Sequence, residues 1–380
     1  MTMEHRNFGN TDLACSTLGF GTWEMGTTQY GEIDIQEAVR AVQMAIDHGI
    51  TLFDTAEVYG PYTSEELLAQ GLGNRRKDVV VVTKVGFTYH DDPSIRGNDA
   101  ISGRNASTAY ITERTEGCLK RLNTDYIDLY QVHRPDMTTD IDETLGALSD
   151  LVRAGKVRML GTSTFPAEQI VEAQWVAEKR GRERFMVEQP PYSIFARRIE
   201  ADVLPTCQRY GMGVVVWSPL SQGWLTGKWR RDAPPNDTNR QNLQPHLYDM
   251  TRDDNQLKLD LIERLDAVVR EAGISLMHMA IAFVCAHPAV TSAIIGPRTP
   301  AQLEGLLEGA DVALGDDVLD AIDEIVAPGL TVSRDDDGYV APEIANRTLR
   351  RRVTTEEFHE AARQTVANIE AFREKQGKKP

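Results

Sequence analysis

Short apolar, β-branched runs recur along this chain, each followed by a longer stretch whose apolar positions repeat every three or four residues. The short runs are Leu18–Gly21, Thr51–Asp54, Val79–Thr83, Ile127–Gln131, Arg158–Gly161, Met186–Glu188, Gly213–Trp217 and Ser292–Gly296. Val79-Val-Val-Val-Thr83 and Gly213-Val-Val-Val-Trp217 are apolar at nearly every position. A strand with one wet face would alternate; a continuous apolar run predicts a parallel strand buried on both faces. Between the runs, Ile35, Val39, Val42 and Ile46 share one helical face, as do Ile141, Leu145, Leu148 and Val152, and Leu257, Leu261, Leu265 and Val268. Eight such strands with intervening helices close most simply into a (β/α)8 TIM barrel, an α/β fold of roughly 250 residues. A doubly wound open sheet has the same periodicity and stays open as the rival.

Some segments break the repeat. His5–Asn10 and Leu13–Ser16 flank Gly9-Asn10-Thr11-Asp12 and predict a hairpin plugging the bottom of the barrel. Gly86 to about Thr108 is polar and Gly-rich, and Lys228 to about Asn255 holds Pro234-Pro235 and few apolar residues. Each follows a strand, on the face where barrel enzymes keep their active sites. Residues 1–330 are assigned to the barrel and 331–380 to a C-terminal helical extension, packed on the barrel or at an interface. In that extension Thr354 and Glu357 form a capping-box pattern. Phe358, Ala362, Val366, Ile369 and Phe372 predict one apolar helical stripe after it, and Arg350-Arg351-Arg352 reads as a solvated face.

Composition narrows the partners. The 380 residues are 41% hydrophobic and 26% charged, and the formal net charge is −16. That balance argues against nucleic acid or an anionic membrane, both of which require clustered positive charge. Cys15, Cys118, Cys207 and Cys285 are far apart with no CxxC, so reduced thiols and no metal site are expected. No apolar stretch follows the first residues, and no run is long enough to span a bilayer, so a cytoplasmic protein is expected. The sequons at Asn105, Asn236 and Asn346 are then chance matches. Oligomeric state is left open.

The strand ends carry the candidate chemistry. Phe53-Asp54-Thr55-Ala56-Glu57-Val58-Tyr59 ends the second strand, Val82-Thr83-Lys84 the third, and Tyr130-Gln131-Val132-His133 the fourth. Asp54, Tyr59, Lys84 and His133 would therefore meet at one opening. Together they describe a proton donor. A free tyrosine, with a pKa of about 10, is a weak acid. A buried Lys84 beside it favours the phenolate, Asp54 keeps Lys84 charged and aimed, and His133 orients a carbonyl oxygen. Two look-alikes fail: Glu24 stands at the third glycine position after Gly19-Phe-Gly21, and Gly223-Trp-Leu-Thr-Gly227-Lys228 is one residue short of a P-loop.

These residues resemble the aldo-keto reductase superfamily, in particular its potassium-channel β-subunit-like and bacterial members. The resemblance runs from about Arg6 to about Ala327. Leu18-Gly-Phe-Gly-Thr-Trp23, Asp54-Thr-Ala-Glu-Val-Tyr59, Val82-Thr-Lys84, Leu122-Asn-Thr-Asp-Tyr-Ile-Asp-Leu-Tyr-Gln-Val-His133, Gly161-Thr-Ser163, Glu188-Gln189, Trp217-Ser-Pro-Leu220 and Leu225-Thr-Gly-Lys228 carry it in the family's order. It implies a barrel that binds NADPH/NADP+ without a Rossmann domain and reversibly reduces an aldehyde or ketone to an alcohol. It implies Tyr59 as general acid, tuned by Lys84 and Asp54, with His133 favouring carbonyls over conjugated double bonds. Ser163 and Gln189 would hold the carboxamide and Trp217 would stack on the nicotinamide. Ser218, Pro219, Leu220, Gly223, Leu225, Gly227 and Lys228 would wrap the pyrophosphate. Thr22, Trp23, Asp54 and Gly296 would also contact the cofactor, while Arg298 would take the 2′-phosphate and Gln302 would face the adenosine. Trp23, Tyr59, Phe87, His133 and Trp224 are the expected substrate pocket. This chain has Thr164 where the family often has Asn after Ser163, and Gly305 and Leu306 replace the usual adenine partners. The same resemblance supports a second reading, a cofactor-carrying regulatory module similar to channel β-subunits.

Overall fold

The computed structural model describes residues 3–26, 34–60, 62–90, 100–231, 241 and 244–376. Its centre is a closed barrel of eight parallel strands: β3 (Leu18–Gly21), β4 (Leu52–Asp54), β5 (Val80–Val85), β8 (Ile127–Val132), β9 (Val157–Ser163), β10 (Phe185–Gln189), β11 (Gly213–Val216) and β12 (Val290–Ile295). Ile294 pairs with Gly19 on β3, so the sheet closes and the open-sheet rival is excluded. All eight predicted runs are barrel strands, displaced by no more than a few residues at their ends.

Helices run between the strands as their periodicity predicts. Ile35–Asp47, Ile141–Arg153 and Asp253–Ala272 bury most of their apolar stripes against the outside of the barrel, but Ile35 and Leu257, in the first turns of two of them, are exposed. Asp34 and Asp140 cap the first two by accepting from backbone N–H groups of the first turn. The barrel interior holds a separate apolar cluster in which Leu52, Val80, Val82, Leu129, Val187 and Val215 converge. Val80, Val82 and Lys84 are alternate residues of β5 and share one face. The row that begins in the apolar interior therefore ends, at the C-terminal mouth, on an ammonium group.

The predicted hairpin is β1 (His5–Asn7) paired with β2 (Ala14–Ser16), and it plugs the bottom. Phe8 and Cys15 are fully buried in the interior cluster. The plug needs room: a Cβ on Gly213 would lie 2.8 Å from the Phe8 Cα.

Two expectations change. The polar segment after Gly86 contains a second hairpin, β6 (Phe87–Tyr89) with β7 (Ile101–Arg104), whose strands are too short and polar to show in the pattern. Pro234-Pro235 lies outside the described residues. The tail stripe is not one helix: Thr355–Arg363 and Thr365–Gln376 are separate, with Gln364 between them. The capping box at Thr354 and Glu357 is present, and Arg350, Arg351 and Arg352 are exposed.

The start of the extension is pinned to the barrel. Ser333 donates to Asp254 at 2.7 Å, Arg252 pairs with Asp335 at 2.7 Å, and Lys258 pairs with Asp336 at 2.6 Å. Both ion pairs are buried. Further on, Thr365–Gln376 packs against β7. The extension thus runs from the start of the helix Asp253–Ala272 to the second hairpin.

Phe8→Ala should cost about 3–5 kcal/mol, the range for emptying a buried aromatic site. Guanidinium unfolding measures it, and a loss under about 1 kcal/mol would remove Phe8 from the core.

Candidate active site

The barrel register brings the four strand-end groups together. Asp54 pairs with Val82 and Lys84 with Gln131, so neighbouring strands end at one level. Lys84 is fully buried. Its Nζ donates to Asp54 Oδ1 at 2.6 Å, to the Thr55 carbonyl at 2.8 Å and to Tyr59 Oη at 3.2 Å. An ammonium has three donors, and each here has an acceptor. Burial lowers the Lys84 pKa, and the Asp54 carboxylate opposes that fall.

Asp54 Oδ1 also accepts from Gln189 Nε2 at 2.8 Å. The network runs on: the Gln189 carbonyl accepts from Ser163 Oγ at 3.0 Å and from the Thr164 amide at 3.2 Å. Arg134 Nη1 donates to Ser163 Oγ at 3.1 Å and to the His133 carbonyl at 2.6 Å. Its guanidinium lies 5.9 Å from the Trp217 ring centroid. Arg134 is a residue that sequence reasoning missed; its place directly after His133 was the available signal.

Tyr59 and His133 face each other edge-on with ring centroids 5.8 Å apart, and Phe87 lies 4.8 Å from His133 on another side. The structure differs from the acidified tyrosine expected from sequence. Burial raises the Tyr59 pKa well above 10, the Asp54 carboxylate adds to the rise, and Arg134 opposes it. The His133 pKa is pushed well below 6.5 by burial first, then by Arg134, Lys84 and Arg104. At neutral pH the pair is thus a protonated phenol and a neutral imidazole. Lys84 donates to the phenolic oxygen, so the Tyr59 proton points away from Lys84.

Trp217 is fixed by its backbone between the ends of β10 and β11: its N–H donates to Pro190 O at 3.1 Å, and its carbonyl accepts from Tyr192 at 3.2 Å. Beyond it the chain turns through left-handed conformations at Ser218, Ser221, Gln222, Gly223 and Gly227. Successive amides in such a turn make a concave anion site. Ser221 Oγ is buried there without a partner among the described residues, and nothing lies within 4 Å of where a Cβ would stand on Gly223, Gly227 or Gly305. A strand-end carboxamide clamp, an indole and an open amide cradle suit a nicotinamide dinucleotide.

The remaining expected residues differ in their surroundings. The Trp224 side chain is buried and does not line an open pocket. It stacks with Trp229 at 4.2 Å and Tyr248 at 5.8 Å, because the loop folds its aromatics inward. Leu225 is fully buried in the core, and Lys228 is exposed. The Thr22 hydroxyl is engaged by the Asp54 carbonyl at 3.0 Å and by Ser64. Gln302 accepts from the Arg298 amide at 2.8 Å, ordering the turn after Gly296-Pro297. Glu24, not foreseen as a site residue, is buried against Gly296, where a Cβ would lie 2.3 Å from its Oε2. Trp23 begins the short helix Trp23–Gly26 at the end of β3.

The sequence profile of the aldo/keto reductase family matches residues 17–327. A probable voltage-gated potassium channel subunit beta of Arabidopsis thaliana is 35% identical over 330 residues, covering 85% of this chain and 97% of that protein. The uncharacterised oxidoreductase YrpG of Bacillus subtilis is 37% identical over 331 residues, covering 85% and 96%. Among solved structures, a glycerol dehydrogenase of Gluconobacter oxydans matches with a TM-score of 0.74 and 30% identity, covering 86% and 96%.

The extension reaches the site at Gly338, where φ is +67° and a Cβ would lie 2.8 Å from Trp217 Cζ2. Gly227 has φ +81° and, among the described residues, no neighbour within 4 Å of where a Cβ would stand. Alanine at either position costs about 1–2 kcal/mol of backbone strain. Only Gly338→Ala should also shift the tryptophan emission, by displacing the indole. Equal spectra for the two variants would separate the extension from Trp217.

Proposed function

This chain belongs to the aldo/keto reductase family and is an oxidoreductase; we propose that it reduces an aldehyde or ketone to an alcohol with NADPH, reversibly. The observation that carries the reading is the buried contact of Lys84 with Asp54 and Tyr59 beside His133. Ser163 and Gln189 would hold the carboxamide, Trp217 would pack on the ring, and the amides from Ser218 to Gly227 would take the pyrophosphate. Arg298 suits a 2′-phosphate, because its planar guanidinium presents a fork of donors that matches phosphate oxygens. When bound, the cofactor supplies hydride to the carbonyl carbon.

The chain's own residues supply the proton. Neutral His133 has one ring N–H with which to hold a carbonyl oxygen and fix its lone pairs. Tyr59 Oη–H, aimed away from Lys84, donates to that oxygen as negative charge gathers there. The phenolate left behind keeps its hydrogen bond from Lys84, now charge-assisted on both sides. Lys84 therefore acts mainly on the charge-separated state, and only interactions that strengthen toward the transition state accelerate the step. A high resting pKa at Tyr59 fits this role: the proton stays on the phenol until a basic oxyanion forms. In the oxidative direction the phenolate takes the proton back.

The substrate is a small-molecule carbonyl or alcohol, bound against Trp23, Phe87 and His133. A second reading is favoured by the identity to the Arabidopsis protein: a cofactor-carrying subunit that serves a partner protein and turns over slowly. The two share a cofactor site and differ in turnover.

Tyr59→Phe should bind NADPH as the unchanged protein does, measured by quenching of tryptophan fluorescence. Its carbonyl reduction should fall by about 100-fold or more, the scale of a lost general acid. Undiminished turnover would remove Tyr59 from the mechanism.

A further inference from the structure

The loop that carries Tyr59 is held from outside the barrel by arginines of one helix, and only Arg114 hydrogen-bonds to it on both sides of Tyr59. We propose that Arg114 is a positioning residue that clamps the Tyr59 loop to the β6–β7 hairpin, setting the phenol against His133. The proposal rests on the reading of Tyr59 as proton donor.

Arg114 stands on the helix Thr108–Arg121, away from the strand ends. Its Nε donates to Glu57 Oε2 at 2.7 Å and its Nη2 to Tyr62 Oη at 2.6 Å. Glu57 and Tyr62 flank Tyr59, so one planar fork holds the loop on both sides of the acid. The guanidinium carbon also lies 5.2 Å from the Tyr62 ring centroid, 5.3 Å from Tyr89 and 5.6 Å from Tyr110. Tyr89 belongs to the hairpin, and the Tyr110 hydroxyl donates to the Phe87 carbonyl. Phe87 in turn packs on His133. The same cation therefore touches the segment that carries Tyr59 and the segment that backs His133.

The loop needs holding. Tyr62 is a non-glycine residue with φ +74°, a conformation that costs of order 1–3 kcal/mol and persists only where surroundings enforce it. Its amide bonds back to the Glu57 carbonyl at 2.8 Å, closing the turn that the fork grips. Glu57 is nearly fully buried, with Oε1 lacking a partner among the described residues. Arg121 lies 4.0 Å from Glu57 Oε2 and 4.5 Å from the Tyr62 ring centroid, but its Nε donates to Glu65 and it does not bridge Glu57 and Tyr62 by hydrogen bonds. Lysine could keep the charge opposite Glu57 but could not bond Glu57 and Tyr62 in one plane.

The test compares Arg114→Lys and Arg114→Met with the unchanged protein. Three quantities are read: turnover of an aromatic aldehyde at saturating NADPH, NADPH affinity by fluorescence quenching, and hydrogen exchange of the loop amides around Tyr59. Arg114→Met should lower kcat by about 30-fold and Arg114→Lys by about threefold to tenfold, the scale of a small misplacement of a reacting group. NADPH affinity should stay within about twofold, and exchange should accelerate in the loop but not in β5. A kcat for Arg114→Met within about twofold of the unchanged protein would overturn the proposal. So would losses of NADPH affinity and β5 protection that match the loss of kcat, since they mark general unfolding. If Arg114→Met does not fold, Arg114→Lys decides by the same criteria. If the unchanged protein reduces no carbonyl, the functional reading falls, and exchange alone decides the clamp: faster in the loop only supports it, unchanged overturns it.

Discussion

Lys84 places an ammonium group in a fully buried position, and the mouth of the barrel is arranged around that fact. An unpaired charge there would be expensive, and removing one partner of such a pair typically costs about 3–5 kcal/mol. Its three acceptors come from the end of β4 and the turn after it. The ion pair therefore fixes the relative height of β4 and β5 and the path of the loop to Tyr59. It also fixes which way the phenolic proton points. Asp54 passes the constraint on to Gln189, and through it to Ser163 and Arg134, so the polar floor of the site is continuous across the barrel.

Outside this floor, two further groups of charges hold the walls. Arg114 and Arg121 tie the loop and the following helix Thr63–Leu72 to the helix Thr108–Arg121. Arg252 and Lys258 seat the C-terminal extension, which carries Gly338 onto Trp217. Side chains far apart in sequence thus converge on two rings, Tyr59 and Trp217, the expected proton donor and nicotinamide platform.

Much of this was legible in the sequence, for particular reasons. Parallel strands buried on both faces leave continuous apolar runs, so Val79–Thr83 and Gly213–Trp217 stood out. The (β/α)8 repeat then put Asp54, Tyr59, Lys84 and His133 at one mouth. What escaped depended on tertiary packing. Trp224 looked like a pocket residue because it is a loop aromatic, yet it stacks beneath its loop on Trp229 and Tyr248. The Tyr59 shift was expected from its charged neighbour alone, whereas burial and Asp54 outweigh the opposing charges. The helix break at Gln364 has no proline or glycine to announce it. Glu24 and Arg114 reach groups distant in the chain, which no local pattern reveals.

In the proposed function this site delivers a proton to a carbonyl oxygen while hydride reaches the carbon. The most direct measurement uses NADPH deuterated at the transferable position of the nicotinamide ring and follows reduction of a simple aromatic aldehyde by mass spectrometry. The account predicts an alcohol with one deuterium on the carbinol carbon and none on oxygen after exchange with water. Oxidation of the cofactor without label in the alcohol, or no turnover while NADPH binds tightly, would contradict it.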